Sequence, residues 1–136
     1  MVLFDEPHLK IQFKNVPCRH LAITWIGTAR GKLYKEGIQT ILKCCRENNI
    51  KKVLTDARKR EAISLDDEHY ASQTIREHMT RHGLFFQAIV VPSDVFLQFT
   101  ADNFDRASYE KTGICQFFSN DKEALVWLSE VDLHKS

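Results

Sequence analysis

Between Gly83 and Pro92 the chain runs Leu84-Phe85-Phe86-Gln87-Ala88-Ile89-Val90-Val91, eight residues with one polar interruption. The run is far short of the ~20 residues that a bilayer span requires. It is continuous enough to be a strand buried on both faces, as in a parallel sheet. A strand with no wet face needs a covering layer on each side. That demand predicts an α/β fold with helices packed against the sheet.

The rest of the chain supplies the missing elements. Leu9-Lys10-Ile11-Gln12-Phe13 alternates cleanly, and Leu21 to Ile26 is β-rich and stops at Gly27. The short turn between them, Asn15 to His20 with Pro17, predicts an antiparallel hairpin. A helix follows, with Thr28 as its expected cap and Tyr34, Ile38, Ile41 and Cys45 in its apolar stripe; Asn48-Asn49 stops it. Lys51 to Asp56 reads as a short strand that ends in a polar loop, Ala57 to Ile63. Ser64 and Asp67 fit a capping box for a helix facing the core with Tyr70, Ala71, Thr74, Ile75, His78 and Met79, closed by Gly83. After the apolar strand, Pro92-Ser93 opens a helix with Phe96, Phe99, Phe104 and Ala107 inward and Gly113 at its end. Ile114 to Phe118 is a further strand, and Asn120 with Glu123 caps a last helix carrying Ala124, Leu125, Leu128 and Val131. The order β-β-α-β-α-β-α-β-α implies a mixed sheet of about five strands and about four helices. Right-handed crossovers join its parallel strands. No repeat or Pro/Gly/Ser-rich linker divides residues 1–136, so one domain is expected.

Composition narrows the function classes. Nineteen Lys and Arg against 18 Asp and Glu leave a net charge of +1, which removes the bulk electrostatic argument for a nucleic-acid binder. The acidic start Met1 to Pro7 has no basic, apolar leader pattern, and no stretch is long enough to span a membrane. Cys18, Cys44, Cys45 and Cys115 form no C-x-x-C pair and read as reduced thiols of a cytoplasmic protein, with Cys45 and Cys115 in the core.

No constellation points to catalysis. Neither G-x-x-x-x-G-K nor G-x-G-x-x-G occurs, so no nucleotide cofactor is expected. His78 and His82 are spaced for one helix face, but the glutamate of H-E-x-x-H is missing and no third ligand is evident. They read instead as a core imidazole and a helix C-terminal cap. Cys18-Arg19-His20 holds a thiol near an imidazole, in a hairpin loop expected to be solvated. The carboxyl ends of the parallel strands are where an open α/β sheet binds ligands. They gather Asp56, Arg58, Lys59 and Arg60 from one loop, Ser93 from the next, and Ser119 and Asn120 from the last. Helix N-termini there add backbone donors, so the basic run suggests an anion or an acidic partner. A solvated loop with Arg58 paired to Asp56 is the alternative. The phenylalanines 96, 99 and 104 fit a core face, or the lining of an apolar cavity under a mobile helix.

Thr24-Trp25-Ile26-Gly27, Val53-Leu54-Thr55-Asp56, Ala88 to Ser93, and Phe117-Phe118 with Glu123-Ala124-Leu125-Val126-Trp127-Leu128 follow one another in a telling order. Together they make the chain resemble the STAS-like domains, specifically the SpoIIAA-like family of small bacterial proteins, over about residues 8 to 131. The resemblance implies kinship in fold with anti-sigma-factor antagonists and with the CRAL-TRIO lipid carriers. It also implies a regulatory locus after the strand Lys51–Asp56 and at the start of the next helix. In the antagonists that helix opens with an Asp-Ser-Ser/Thr-Gly motif whose hydroxyl accepts phosphate. This chain has Ser64-Leu65-Asp66-Asp67-Glu68 there, with carboxylates in place of the acceptor and Ser64 as a cap. The expectation is a non-enzymatic module that binds a protein through Asp56, Arg58, Ser64, Asp66 and Asp67. A carrier of an apolar small molecule or lipid is the alternative. A homodimer through the exposed edge of the hairpin is a further possibility.

Overall fold

The computed structural model describes residues 1–61, 63–101 and 115–131. Six strands form one sheet in the order β1-β2-β3-β4-β5-β6. β1 (Val2–Glu6), β2 (Leu9–Lys14) and β3 (His20–Gly27) are antiparallel neighbours. β4 (Lys52–Arg60), β5 (Phe86–Val90) and β6 (Cys115–Phe118) continue the sheet in parallel from β3. α1 (Lys32–Asn48) and α2 (Leu65–His82) connect β3 to β4 and β4 to β5, α3 (Ser93–Ala101) follows β5, and α4 (Asp121–Glu130) follows β6. Mixed α/β architecture, the antiparallel start and the parallel continuation are as read from the sequence.

Three details differ. β1 was not expected, because Val-Leu-Phe-Asp-Glu does not alternate; an edge strand pairs on one side only, and its two acids lie at the exposed end. β4 does not give way to a loop at Asp56. It runs on through Arg58-Lys59-Arg60, because the end of β3 is there to pair with it, Ile26 beside Lys59 and Gly27 beside Arg60. An extra β4 residue is accommodated at this point, a bulge that re-aims the side chains after Asp56. Finally, α1 starts at Lys32 rather than beside Thr28, with Gly31 (φ 58) as its cap residue and no side-chain cap of its own.

Alternation along the strands splits the core in two. Leu9, Ile11, Leu21, Ile23, Trp25 and Val53 face α1 and α2. Leu54, Phe86, Ala88, Val90 and Phe118 face the Ala124 and Leu128 side of α4. Burying each of the Val, Leu, Ile and Phe side chains among these fully contributes about 1.5–3 kcal/mol. Gly37 lets α1 lie close on the sheet, since a Cβ there would sit 2.5 Å from the Trp25 ring. The C-termini of α1, α2 and α4 point to the amino ends of the parallel strands. There Arg19 donates to the carbonyls of Asn48 and Asn49, Lys51 to that of His82 (2.6 Å), and Lys52 to that of Leu128 (2.6 Å). Each cation answers the negative end of a helix dipole. At α2 this role falls to Lys51, where His82 had been expected.

Candidate functional site

The bulge in β4 sends its basic run in three directions. Arg58 is gripped by Asp56, with Nε donating to Oδ1 (3.0 Å) and Nη2 to Oδ2 (2.9 Å), while the Arg58 backbone N–H donates to the same Oδ1 (3.0 Å). Nη2 also donates to Asp121 Oδ1 at 2.6 Å, tying β4 to the first turn of α4. Burial pushes the Asp56 carboxyl up, but the Arg58 hydrogen bonds outweigh it and hold the carboxyl below its ordinary value. Those same bonds raise Arg58. Lys59 is exposed beside Ile26. Arg60 turns inward, where burial lowers its pKa and the neighbouring Tyr34 hydroxyl partly compensates. Tyr34 is buried against Trp25, ring centroids 5.0 Å apart, and burial raises its own pKa.

Ser64 sits in extended conformation (φ −72, ψ 161) and its Oγ accepts from the Asp67 N–H at 3.1 Å, the expected cap of α2. Asp67 itself is only 3 % exposed. Its Oδ2 accepts from the Gly31 N–H (3.0 Å), so one carboxylate secures the starts of α1 and α2 together. That contact supplies what α1 lacks in its own first turn. Asp66 and Glu68 are exposed, and between the cap and these acids Leu65 is 77 % exposed. Ile26 and Leu33 are exposed at the same end of the molecule. Asn120 caps α4 through the Glu123 N–H (2.9 Å), and Ser93 lies exposed at the start of α3.

Of the residues predicted to form one site, the structure therefore joins Asp56 to Arg58 and Ser64 to Asp67. Arg60 is turned toward Tyr34, and Lys59, Asp66 and Ser93 face solvent. Sequence reasoning missed Asp121 and Tyr34 as partners, 63 and 26 positions from the arginines they hold. The acidic first turn of α4 was the available signal for Asp121. Tyr34 carried none beyond its place in an apolar stripe. Phe96 is half-buried; the Phe99 side chain and Phe104, needed for the cavity reading, lie outside the described residues, as do Ala107, Gly113 and Ile114. An open, shallow groove lies on α1 and α2. Lys32, Lys35, Gln39 and Tyr70 line it, with Gln39 Nε2 donating to the Tyr70 hydroxyl at 2.7 Å.

The other candidate chemistries resolve into packing. His20 is not solvated but buried; its Nδ1 lies 2.8 Å from the Cys18 carbonyl and so is spent as a donor, 4.0 Å from the Cys18 sulfur. Burial raises the Cys18 thiol, the opposite of what a nucleophile needs. Burial pushes Cys45 up to about 12. His78 and His82 stack with ring centroids 4.8 Å apart, and His78 meets Phe85 edge-on at 5.6 Å. His78 Nδ1 is buried with no hydrogen-bond partner. A ligating imidazole ordinarily donates its second N–H to an acceptor, which this pocket lacks. Among the described residues, no group of three or more His, Cys, Asp or Glu converges, and no helix is long and apolar enough to cross a membrane.

The sequence matches no protein-family model and no curated protein. Among solved structures it is similar to an uncharacterized protein of the DUF3478 family with a SpoIIAA-like fold from Shewanella loihica PV-4. The TM-score is 0.63 and the identity 19 %, over 92 % of this chain and 97 % of that one. The fold is SpoIIAA-like, as the succession of junction residues implied.

Proposed function

We propose that the chain is a single-domain, non-enzymatic STAS-like module of the bacterial cytoplasm. It docks a protein partner where β4 ends and α2 begins. The observation that carries this reading is Leu65. An apolar side chain 77 % exposed stands between a fixed helix cap and two exposed carboxylates, with Ile26 and Leu33 exposed at the same end. One exposed leucine is ordinary, but apolar side chains rimmed by charge at one end of a fold make a recognition surface. In this reading Leu65 is the anchor and Asp66 and Glu68 present charge. Lys59 and Ser93 belong to the rim, while Arg58, Asp56, Ser64, Arg60 and Asp67 keep the platform rigid. A regulatory role rests on the resemblance to anti-sigma-factor antagonists. Without the Ser/Thr-Gly acceptor, the negative charge at the start of α2 is permanent rather than switched.

The test is quantitative affinity capture from the host with three baits: the native chain, Leu65→Asp with Asp66→Lys, and Glu130→Lys on α4 as a control. A partner retained by the native and control baits and lost by the double variant supports the docking surface. An identical partner list from all three removes it. The carrier alternative, an apolar chamber under α3, is tested by native mass spectrometry of protein purified from its host, where a bound lipid mass would replace the present reading. A homodimer would add its own strand antiparallel to β1 and would show as doubled mass in light scattering.

A further inference from the structure

The end of the molecule opposite the proposed docking surface has its own composition. The β2–β3 turn, the starts of β1 and β4, and the C-termini of α1, α2 and α4 meet there, as the Arg19, Lys51 and Lys52 contacts with helix carbonyls require. Among the described residues, this end gathers Lys14, Arg19, Arg46, Lys51, Lys52 and Arg81 against the carboxylates of Glu47 and Glu130. Three of the cations answer helix ends, each worth roughly half a negative charge, so the caps leave the pole strongly positive. Lys14, Arg46 and Arg81 are exposed and make no cap. At the same pole the turn carries Val16, 81 % exposed between Lys14 and Arg19, and Val2 is exposed on the neighbouring strand beside Gln12.

We propose that this pole docks the protein reversibly on an anionic lipid surface, with Val16 entering the interface and Lys14, Arg46 and Arg81 meeting headgroup phosphates. Charge complementarity selects a negative partner, and protruding aliphatic side chains select a bilayer over a nucleic acid. A single-stranded nucleic acid would want exposed aromatic platforms, whereas Phe13, the aromatic nearest the turn, is half-buried with Arg19 over its ring at 5.5 Å. The net charge of +1 conceals this pole, because the acids of the helix N-termini collect at the other end. The inference does not rest on the proposed protein partner, which uses the opposite end.

Vesicle co-sedimentation tests it, using phosphatidylcholine with and without phosphatidylglycerol at low and physiological salt. The native chain is expected to bind only the anionic vesicles and to be released by salt. Lys14→Glu with Arg46→Glu is expected to weaken binding about thirtyfold or more. Val16→Ser, which removes apolar surface without adding charge, is expected to weaken it with the salt dependence unchanged. None of these side chains is buried or caps a helix, so thermal midpoints should match the native protein. Absence of binding, equal binding to neutral vesicles, indifference to both variants, or tighter binding to a labelled DNA duplex at the same salt would each overturn the proposal.

Discussion

His78 occupies a place where its chemistry is a liability. Burial, and then His82, Arg46 and Lys51 nearby, lower its pKa from 6.5 to about 4, and its Nδ1 has no partner. The unfolded chain therefore takes up a proton at this site before the folded one does. The stabilisation is complete above pH ~6.5 and lost as pH falls towards 4, by at most about 3 kcal/mol. Urea midpoints recorded at pH 7, 5 and 4 should fall accordingly. His78→Phe should flatten most of that slope, leaving the smaller shares due to buried His20, whose pKa burial also lowers, and, towards pH 4, to the Asp56 carboxyl held low by Arg58. At Gly37 the expected effect is steric. Gly37→Ala gains helix propensity but drives a methyl into the Trp25 ring. The net destabilisation should be about 1–2 kcal/mol, measured by chemical denaturation. Neither site was visible as such in the sequence. His78 read correctly as a core residue by its spacing, but the lack of a hydrogen-bond partner is a property of the packed neighbourhood. Gly37 simply flanked an apolar stripe.

At the scale of elements, helix ends decide what is local and what is not. Ser64 and Asn120 were legible as caps because each acts on a residue three positions away. The start of α1 was not, because its support comes from Asp67, 36 positions on. The end of β4 was misread for a similar reason: three basic residues look like a loop until the end of β3 offers them hydrogen bonds. α4 is held on β4 at both ends, by Arg58 to Asp121 and by Lys52 to the Leu128 carbonyl. Arg58→Ala leaves the Asp56 and Asp121 carboxylates without their shared partner and should cost about 1–2 kcal/mol, discounted for exposure. Trp127, packed against Phe86 and Phe118, should report the loosening as a red-shifted emission before global unfolding. If emission and stability are both unchanged, the clamp is decorative.

For the whole molecule, the two apolar layers share one sheet, with Trp25 in one and Trp127 packed against the other. β4 serves both, through Val53 and Leu54, so the layers should melt together. Trp25→Phe and Trp127→Phe, each leaving one reporter, are expected to give coincident urea transitions after correction for their own stability changes. Separate midpoints would mean two cooperative units. The mixed sheet was legible because the hydrophobic rhythm changes from alternating to continuous along the chain; the site was less so, because its polarity is arranged by position rather than by amount. The placement of α4 also has a consequence for synthesis. All six strands leave the ribosome before the helix that shields Leu54, Phe86, Ala88 and Val90. Until it arrives that side of the nascent sheet stays wet and sticky, so α4 closes the molecule against its own aggregation.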